Sequence, residues 1–216
     1  MDTLSLCLAA CPVAMYALAL ARVNLARRPT PVAGLYESLA LALALVGLAT
    51  VGPLKLFLPE EAATRFGSGV WVLLLSLYGL GAMLWILLQQ PRLVVYNIGR
   101  DQFRPIVAEA ALSLDPAAHW AGDTLALPQL NLVLRMSAFT LMRNATLELA
   151  RPSVNLDAWR QLEALVRQRV RELSVPPNPR GYGLLAAGLA LATIAAYRAL
   201  GDPVAVAQGL RELLRQ

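Results

Sequence analysis

The stretch VWVLLLSLYGLGAMLWILLQQPRLVVYNI, residues 70–98, carries the passage between two kinds of structure. From Val70 to Leu88 no side chain is charged. A helix over that run, rising ~1.5 Å per residue, reaches ~28 Å, close to the hydrocarbon thickness of a bilayer. After Gln89-Gln90-Pro91 the character changes. Arg92 opens Leu93-Val-Val-Tyr-Asn-Ile98, a short β-branched and aromatic run that reads as a strand.

Moving outward from this junction, three further uncharged stretches are candidates for spanning helices: Thr3–Ala21, Ser38–Leu54 and Gly181–Tyr197. The helices are expected at about 3–22, 37–58 (past Lys55), 69–89 and 181–200. The fold class expected is therefore a membrane α-helical protein with four transmembrane helices and a small cytosolic α+β domain.

The charge distribution agrees. The chain has 216 residues, of which 15% are charged and 57% hydrophobic. Arg92 to Arg180 holds 11 Arg and 8 acids, about 21% charged, an ordinary water-facing value. The remainder holds about 11%, too little to coat a soluble surface. The net charge of +5 rests on 18 Arg and the single Lys55. These are scattered, with no basic run, so membrane topology explains them better than nucleic acid does. The Arg, Ala and Leu bias resembles that of a GC-rich bacterial genome.

Orientation follows the short-loop basic residues. Arg22, Arg27 and Arg28 place the first loop inside; Arg92, Arg100 and Arg104 place the segment after the third helix inside. The N-terminus is then outside and residues 92–180 cytosolic at the inner membrane. Arg198, Arg211 and Arg215 dissent, because a crossing fourth helix carries them outside. The first stretch is read as a retained anchor: its leading residues are acidic (Asp2) where a secretory signal is basic. The Leu8-Ala-Ala-Cys11 box is followed by apolar sequence, unlike a lipoprotein tether.

Within 92–175 the order reads β-α-β-β-β-α, a two-layer sheet with both helices on one face. Phe103–Leu114 is one helix, with Phe103, Ile106, Val107, Ala110, Ala111 and Leu114 on a stripe and Pro105 in its first turn. Alternations at Leu125/Leu127, Leu130–Met136 and Ala145/Leu147/Leu149 read as strands. Asn155 caps a helix to Leu173 that presents Leu156, Trp159, Leu162, Leu165, Val166, Arg169 and Val170. Val175-Pro-Pro-Asn-Pro-Arg180 (linker 176–180) cannot be helical and reads as a stiff spacer. Residues 203–216 read as an amphipathic helix along the bilayer surface.

The chemistry-bearing residues are sparse. His119, the only histidine, falls in a loop near Asp115 and Asp123 and lacks the partners that catalysis or a metal needs. Cys7 and Cys11 share a helix face and read as small apolar packing residues. Glu37, at the start of the second helix, is expected to pair with Arg27 or Arg28, or to favour the helix N-terminus. Arg135, Arg143 and Arg151 lie near strand ends and could form a small basic patch for anionic headgroups or RNA, although scattered arginines on a solvated sheet face are the usual case. Pro12 and Pro53 are expected to kink their helices. Gly79 and Gly81 allow close approach at the third helix, and Gly188, Ala192 and Ala196 form a small-residue face on the fourth.

No P-loop, GxGxxG, HExxH, GxSxG or CxxC pattern occurs. No catalytic, cofactor-binding or metal residue is proposed, and no cofactor. The expectation is a non-enzymatic scaffold, assembly or regulatory subunit with the lipid bilayer, a protein partner or a second copy as partners, and no nucleic acid. The alternatives are an accessory or pore-forming transporter subunit and an interfacial membrane enzyme.

Overall fold

The computed structural model describes residues 3–54, 69–150, 155–204 and 207. The second loop with Lys55, Arg151 and most of the expected C-terminal amphipathic helix lie outside the described residues. The chain divides into two compact units, Met1–Ala19 with Ser38–Leu88 and Leu184–Gln216, and Leu20–Glu37 with Gln89–Gly183.

The first unit is helical. Helix α1 (Thr3–Leu25) contains Pro12, α2 (Gly34–Ala49) runs into a wide π turn over Thr50–Leu54, and α3 covers Gly69–Leu87. Pro53, which cannot donate a backbone N–H, sits in that π turn. Thr50 steadies it by donating its hydroxyl to the carbonyls of Val46 and Gly47 at 3.0 and 2.8 Å. The last long helix of the chain is Arg180–Gly201.

Among the described residues three helices, Thr3–Leu25, Gly34–Gly52 and Arg180–Gly201, are long and apolar enough to cross a membrane; Val72–Leu87 is a shorter apolar stretch. Large apolar side chains point outward all along them, among them Met15 (72% exposed), Leu43 (68%), Leu73 (67%) and Leu88 (73%). In water such a surface is far larger than a monomer tolerates.

Contacts between these helices use small residues. A Cβ on Gly47 would lie 1.8 Å from the Leu8 carbonyl oxygen, and one on Gly188 would lie 2.9 Å from Leu18 Cγ. The small face of the last helix therefore serves packing within the chain at Gly188. Gly79 and Gly81 differ from expectation: nothing lies within 4 Å of a Cβ at either. Their small size therefore meets no neighbour among the described residues. The Tyr78 hydroxyl instead ties α3 to α2, donating to the Ala42 carbonyl at 2.7 Å.

The second unit is a six-stranded antiparallel sheet in the order β1-β2-β6-β5-β4-β3. Its strands are β1 (Thr30–Ala33), β2 (Arg92–Tyr96), β3 (His119–Ala121), β4 (Thr124–Leu127), β5 (Leu132–Phe139) and β6 (Asn144–Leu149). Helices α4 (Arg100–Leu114) and α5 (Leu156–Glu172) pack together, with the strands' inward residues beneath them. Phe103, Val107, Trp159, Leu162 and Val166 meet Leu93, Val95, Leu134 and Leu147 in one buried core.

Two strands enlarge the expected β-α-β-β-β-α order. β1 comes from the first loop and pairs Thr30–Ala33 with Leu93–Tyr96. It carries Pro31, which an edge strand tolerates because one side of its ladder is unpaired. β3 forms the opposite edge and turns into β4 through Gly122 at φ +63°. α4 also begins earlier than expected, at Arg100. The Gly99 carbonyl accepts from Phe103 at 2.9 Å, so Pro105 lies inside the helix instead of in its first turn.

Candidate functional site

The polar residues of the second unit gather where the chain segments at its helix ends meet the sheet. Glu37 lies in the first turn of α2, where a carboxylate complements the helix dipole. Its partners are not Arg27 or Arg28. Oε2 sits 3.0 Å from the Arg92 guanidinium, and Oε1 accepts from the Tyr96 hydroxyl at 2.9 Å. The β1–β2 ladder is the reason: Ala33 faces Leu93, which sets the start of α2 beside the start of β2. Gly34 permits the approach, since a Cβ there would fall 2.2 Å from Arg92 Cγ.

Beside it lies a group absent from the sequence-based candidates: Asn24, Asn97 and Asn178, 1%, 0% and 2% exposed. Asn178 donates its side-chain amide to Asn24 Oδ1 at 3.3 Å and to the Met142 carbonyl at 3.0 Å. Asn97 donates to the Ala26 carbonyl at 2.8 Å and to that of Pro176 at 3.4 Å. Asn24 donates to Leu20 within its own helix at 2.9 Å. Backbone bonds follow the same seam: Val175 N–H to the Arg27 carbonyl and Asn178 N–H to the Asn24 carbonyl, both 2.9 Å.

The proline-rich segment 175–180 is thus a docked strap and not merely a spacer. Its prolines cannot donate, so Val175 and Asn178 supply the N–H groups for the first loop. Asn97, at φ +58°, adopts the left-handed conformation that asparagine accepts more readily than most residues and so turns its amide into the seam. The sequence signal for this group is weak: Asn178 lies between two prolines, while Asn24 and Asn97 carry no local pattern that marks them.

The remaining candidates are separated. His119 stands exposed on β3, not in a loop, with Nδ1 3.1 Å from the Ala117 carbonyl. The carboxylates near it in sequence serve other partners. Asp115 is buried and accepts from the backbone N–H groups of Ala117 and Gln129 at 2.8 and 2.9 Å. Asp123 is engaged by Arg100. Arg104 lies over the Trp120 ring, 4.8 Å from its centroid.

Arg135 faces Glu148 across the β5–β6 ladder, and Glu148 faces Arg92 on its other side. Charges of alternating sign thus cross the sheet at that level. Arg143, at φ +51° in the β5–β6 turn, points its guanidinium to the Pro176 carbonyl at 3.4 Å. Phe139 pairs with Asn144 beside that turn, so Arg135 and Arg143 are separated by about 13 Å of strand. They do not form one patch, and Arg151 lies outside the described residues.

Cys7 lies against the last helix, Sγ 3.6 Å from the Ala195 carbonyl, and Cys11 is exposed. Among the described residues no three His, Cys, Asp or Glu side chains gather at a metal-binding spacing. An open hollow of about 600 Å³ is lined by Thr3, Tyr197, Arg198, Leu200, Gly201 and Asp202. Compared with protein-family models, curated proteins and solved structures, the chain matches none.

Proposed function

We propose that this is a multi-pass protein of a bacterial inner membrane, crossing it four times, with its N-terminus outside and the α+β unit in the cytosol. Its function is that of a non-enzymatic scaffold, assembly or regulatory subunit acting through that unit on a protein partner or a second copy. One observation carries the reading. The α+β unit includes the end of α1, the start of α2 and the start of the last helix, and buried side-chain hydrogen bonds fasten α1's end and the strap leading into the last helix to the sheet. A domain that incorporates the ends of apolar helices in its own hydrogen-bonded core suits docking and assembly beside a membrane.

Two features support the membrane part. The apolar helices expose large hydrophobic side chains, the arrangement a lipid environment favours. In the last helix, α6 (Arg180–Gly201), the charges at Arg180 and Arg198 are ~27 Å apart along the axis, near the thickness of a hydrocarbon core. Several charged groups of the α+β unit are engaged in internal pairs: Glu37 with Arg92, Arg100 with Asp123, Arg167 with Glu163 and Arg169 with Glu109. Such pairs suit a structural domain.

The test is photo-crosslinking in cells from positions on the exposed faces of α4 and α5, such as Leu112 and Arg160, followed by sizing of the detergent-solubilised protein. The expected outcome is one repeatable adduct, either with a distinct protein or with a second copy. A strictly monomeric protein with no adduct from either helix would count against the scaffold reading.

A further inference from the structure

The turn joining β5 to β6 carries the feature that the folding of the domain leaves unexplained. Phe139 and Leu141 are 59% and 51% exposed, side by side at the tip of a hairpin whose strands are otherwise well covered on one face. Neighbouring apolar side chains exposed at one hairpin tip are better accommodated in an apolar medium than in water, so an apolar occupant is favoured there.

Its neighbours within the same unit identify that occupant. The Met142 carbonyl is held by Asn178 at 3.0 Å, and the carbonyls of Thr140 and Leu141 accept from Arg180, the first residue of α6. Gly181, one residue on, packs against the last residue of α1: a Cβ there would lie 2.8 Å from Leu25 Cγ. The hairpin tip is therefore bonded to the point where one apolar helix ends and another begins. Both are among the helices long and apolar enough to cross a membrane.

The charge at this spot has one sign. Residues 20–30, 139–144 and 175–183 contain Arg22, Arg27, Arg28, Arg143 and Arg180 and no acid. Arginine next to an apolar tip, at the mouth of membrane helices, is the combination that anionic headgroups attract. Exposed Tyr182, in the first turn of α6, adds an aromatic group of the kind enriched at the membrane–water boundary.

We infer that the β5–β6 tip dips into the headgroup layer of the bilayer in which the chain is anchored, with Phe139 and Leu141 at the acyl boundary and Arg27, Arg143 and Arg180 meeting anionic headgroups. This rests on the reading of α1 and α6 as membrane spans.

The experiment uses full-length protein carrying Cys7→Ala and Cys11→Ala, with single cysteines introduced by Leu141→Cys, Phe139→Cys, Leu112→Cys or Leu189→Cys. Each is labelled with a nitroxide in nanodiscs of phosphatidylethanolamine and phosphatidylglycerol. The ratio of collisional access by oxygen to access by a water-soluble nickel chelate reports depth. At Leu141 and Phe139 the ratio is expected at least ~3-fold above that at Leu112, and below that at mid-helix Leu189. Equal ratios at both tip positions and Leu112, with Leu189 in lipid, would overturn the tip insertion and leave the spans standing. A water-like ratio at Leu189 would overturn the span reading and the insertion with it. Replacing phosphatidylglycerol by phosphatidylcholine is expected to lower the tip ratios; an unchanged ratio would overturn the part assigned to anionic headgroups.

Discussion

Asn178 donates its side-chain amide to Asn24 at 3.3 Å, joining residues 154 positions apart in a buried pair. That bond joins the last turn of α1 to the strap that precedes α6. Both asparagines are nearly inaccessible to water, so each amide left without a partner would carry its desolvation cost unrelieved. The pair is consequently a point of fold specificity as well as of stability.

Replacing Asn178 by Ala removes donors to Asn24 and Met142 and the acceptor for the Arg180 N–H at 3.2 Å. The expected cost is about 1–3 kcal/mol, read as a lower thermal midpoint in detergent. A double-mutant cycle with Asn24→Ala should show a coupling of roughly 0.5–1.5 kcal/mol. Strict additivity would mean that the two side chains act independently.

The Glu37–Arg92 pair is about a quarter exposed on each side, which keeps its charges in partial contact with water. Glu37→Ala is expected to cost roughly 1–3 kcal/mol, because it removes both the ion pair with Arg92 and the acceptor of the Tyr96 hydroxyl. Tyr96→Phe, which removes one hydrogen bond and leaves the ion pair, should cost about 0.5–1.5 kcal/mol. Denaturation of the two variants side by side checks the order; an equal loss would show that the ion pair contributes nothing beyond the hydroxyl contact.

Asp115 anchors the turn after α4 by accepting two backbone N–H groups from opposite sides of a loop. Asp115→Ala leaves both amides unsatisfied and is expected to destabilise by about 2–4 kcal/mol. Asp115→Asn keeps one acceptor oxygen and should recover part of that. Hydrogen exchange at Ala117 and Gln129 gives the local readout, with faster exchange expected at both in the alanine variant.

Glycine substitutions separate contact positions from unencumbered ones. Gly47→Ala forces a methyl into the Leu8 backbone and should destabilise by ~1–3 kcal/mol or more. Gly79→Ala and Gly81→Ala meet nothing within 4 Å and should be neutral or raise stability, by up to ~1 kcal/mol each, through helix propensity. Thermal unfolding in one detergent compares all three; destabilisation by Gly79→Ala would indicate a partner surface on α3.

Membrane topology is testable by cysteine accessibility on a Cys7→Ala, Cys11→Ala background. Engineered cysteines at Ser68, Ser113 and Gln216 are expected to label from outside, inside and outside respectively. Labelling of the last from the cytosol would make the final helix re-entrant or interfacial and reduce the crossings.

Much of the architecture was legible in the chain because it depends on local periodicity. The stripe Phe103, Val107, Ala110, Ala111 and the face Trp159, Leu162, Val166, Val170 are buried as their 3.6-residue spacing requires. The alternation at Leu125/Leu127 and Ala145/Leu147/Leu149 likewise puts those residues inside. Thr30–Ala33 was not legible as a strand: four residues containing a proline carry no alternation signal, and only pairing with β2 makes them one.

By itself, then, the sequence determined which helices are apolar along their length, which stripes face a core, and that a charged insert separates the third apolar helix from the last. Those are properties of neighbours along the chain. The tertiary structure alone decided that Glu37 meets Arg92 and Tyr96, that Gly34 and Gly47 are close-contact glycines, and that Asn24, Asn97 and Asn178 form a seam. The seam and the Glu37 cluster join residues 36 to 154 positions apart, where no local pattern records the partner and only the folded backbone brings donor and acceptor together.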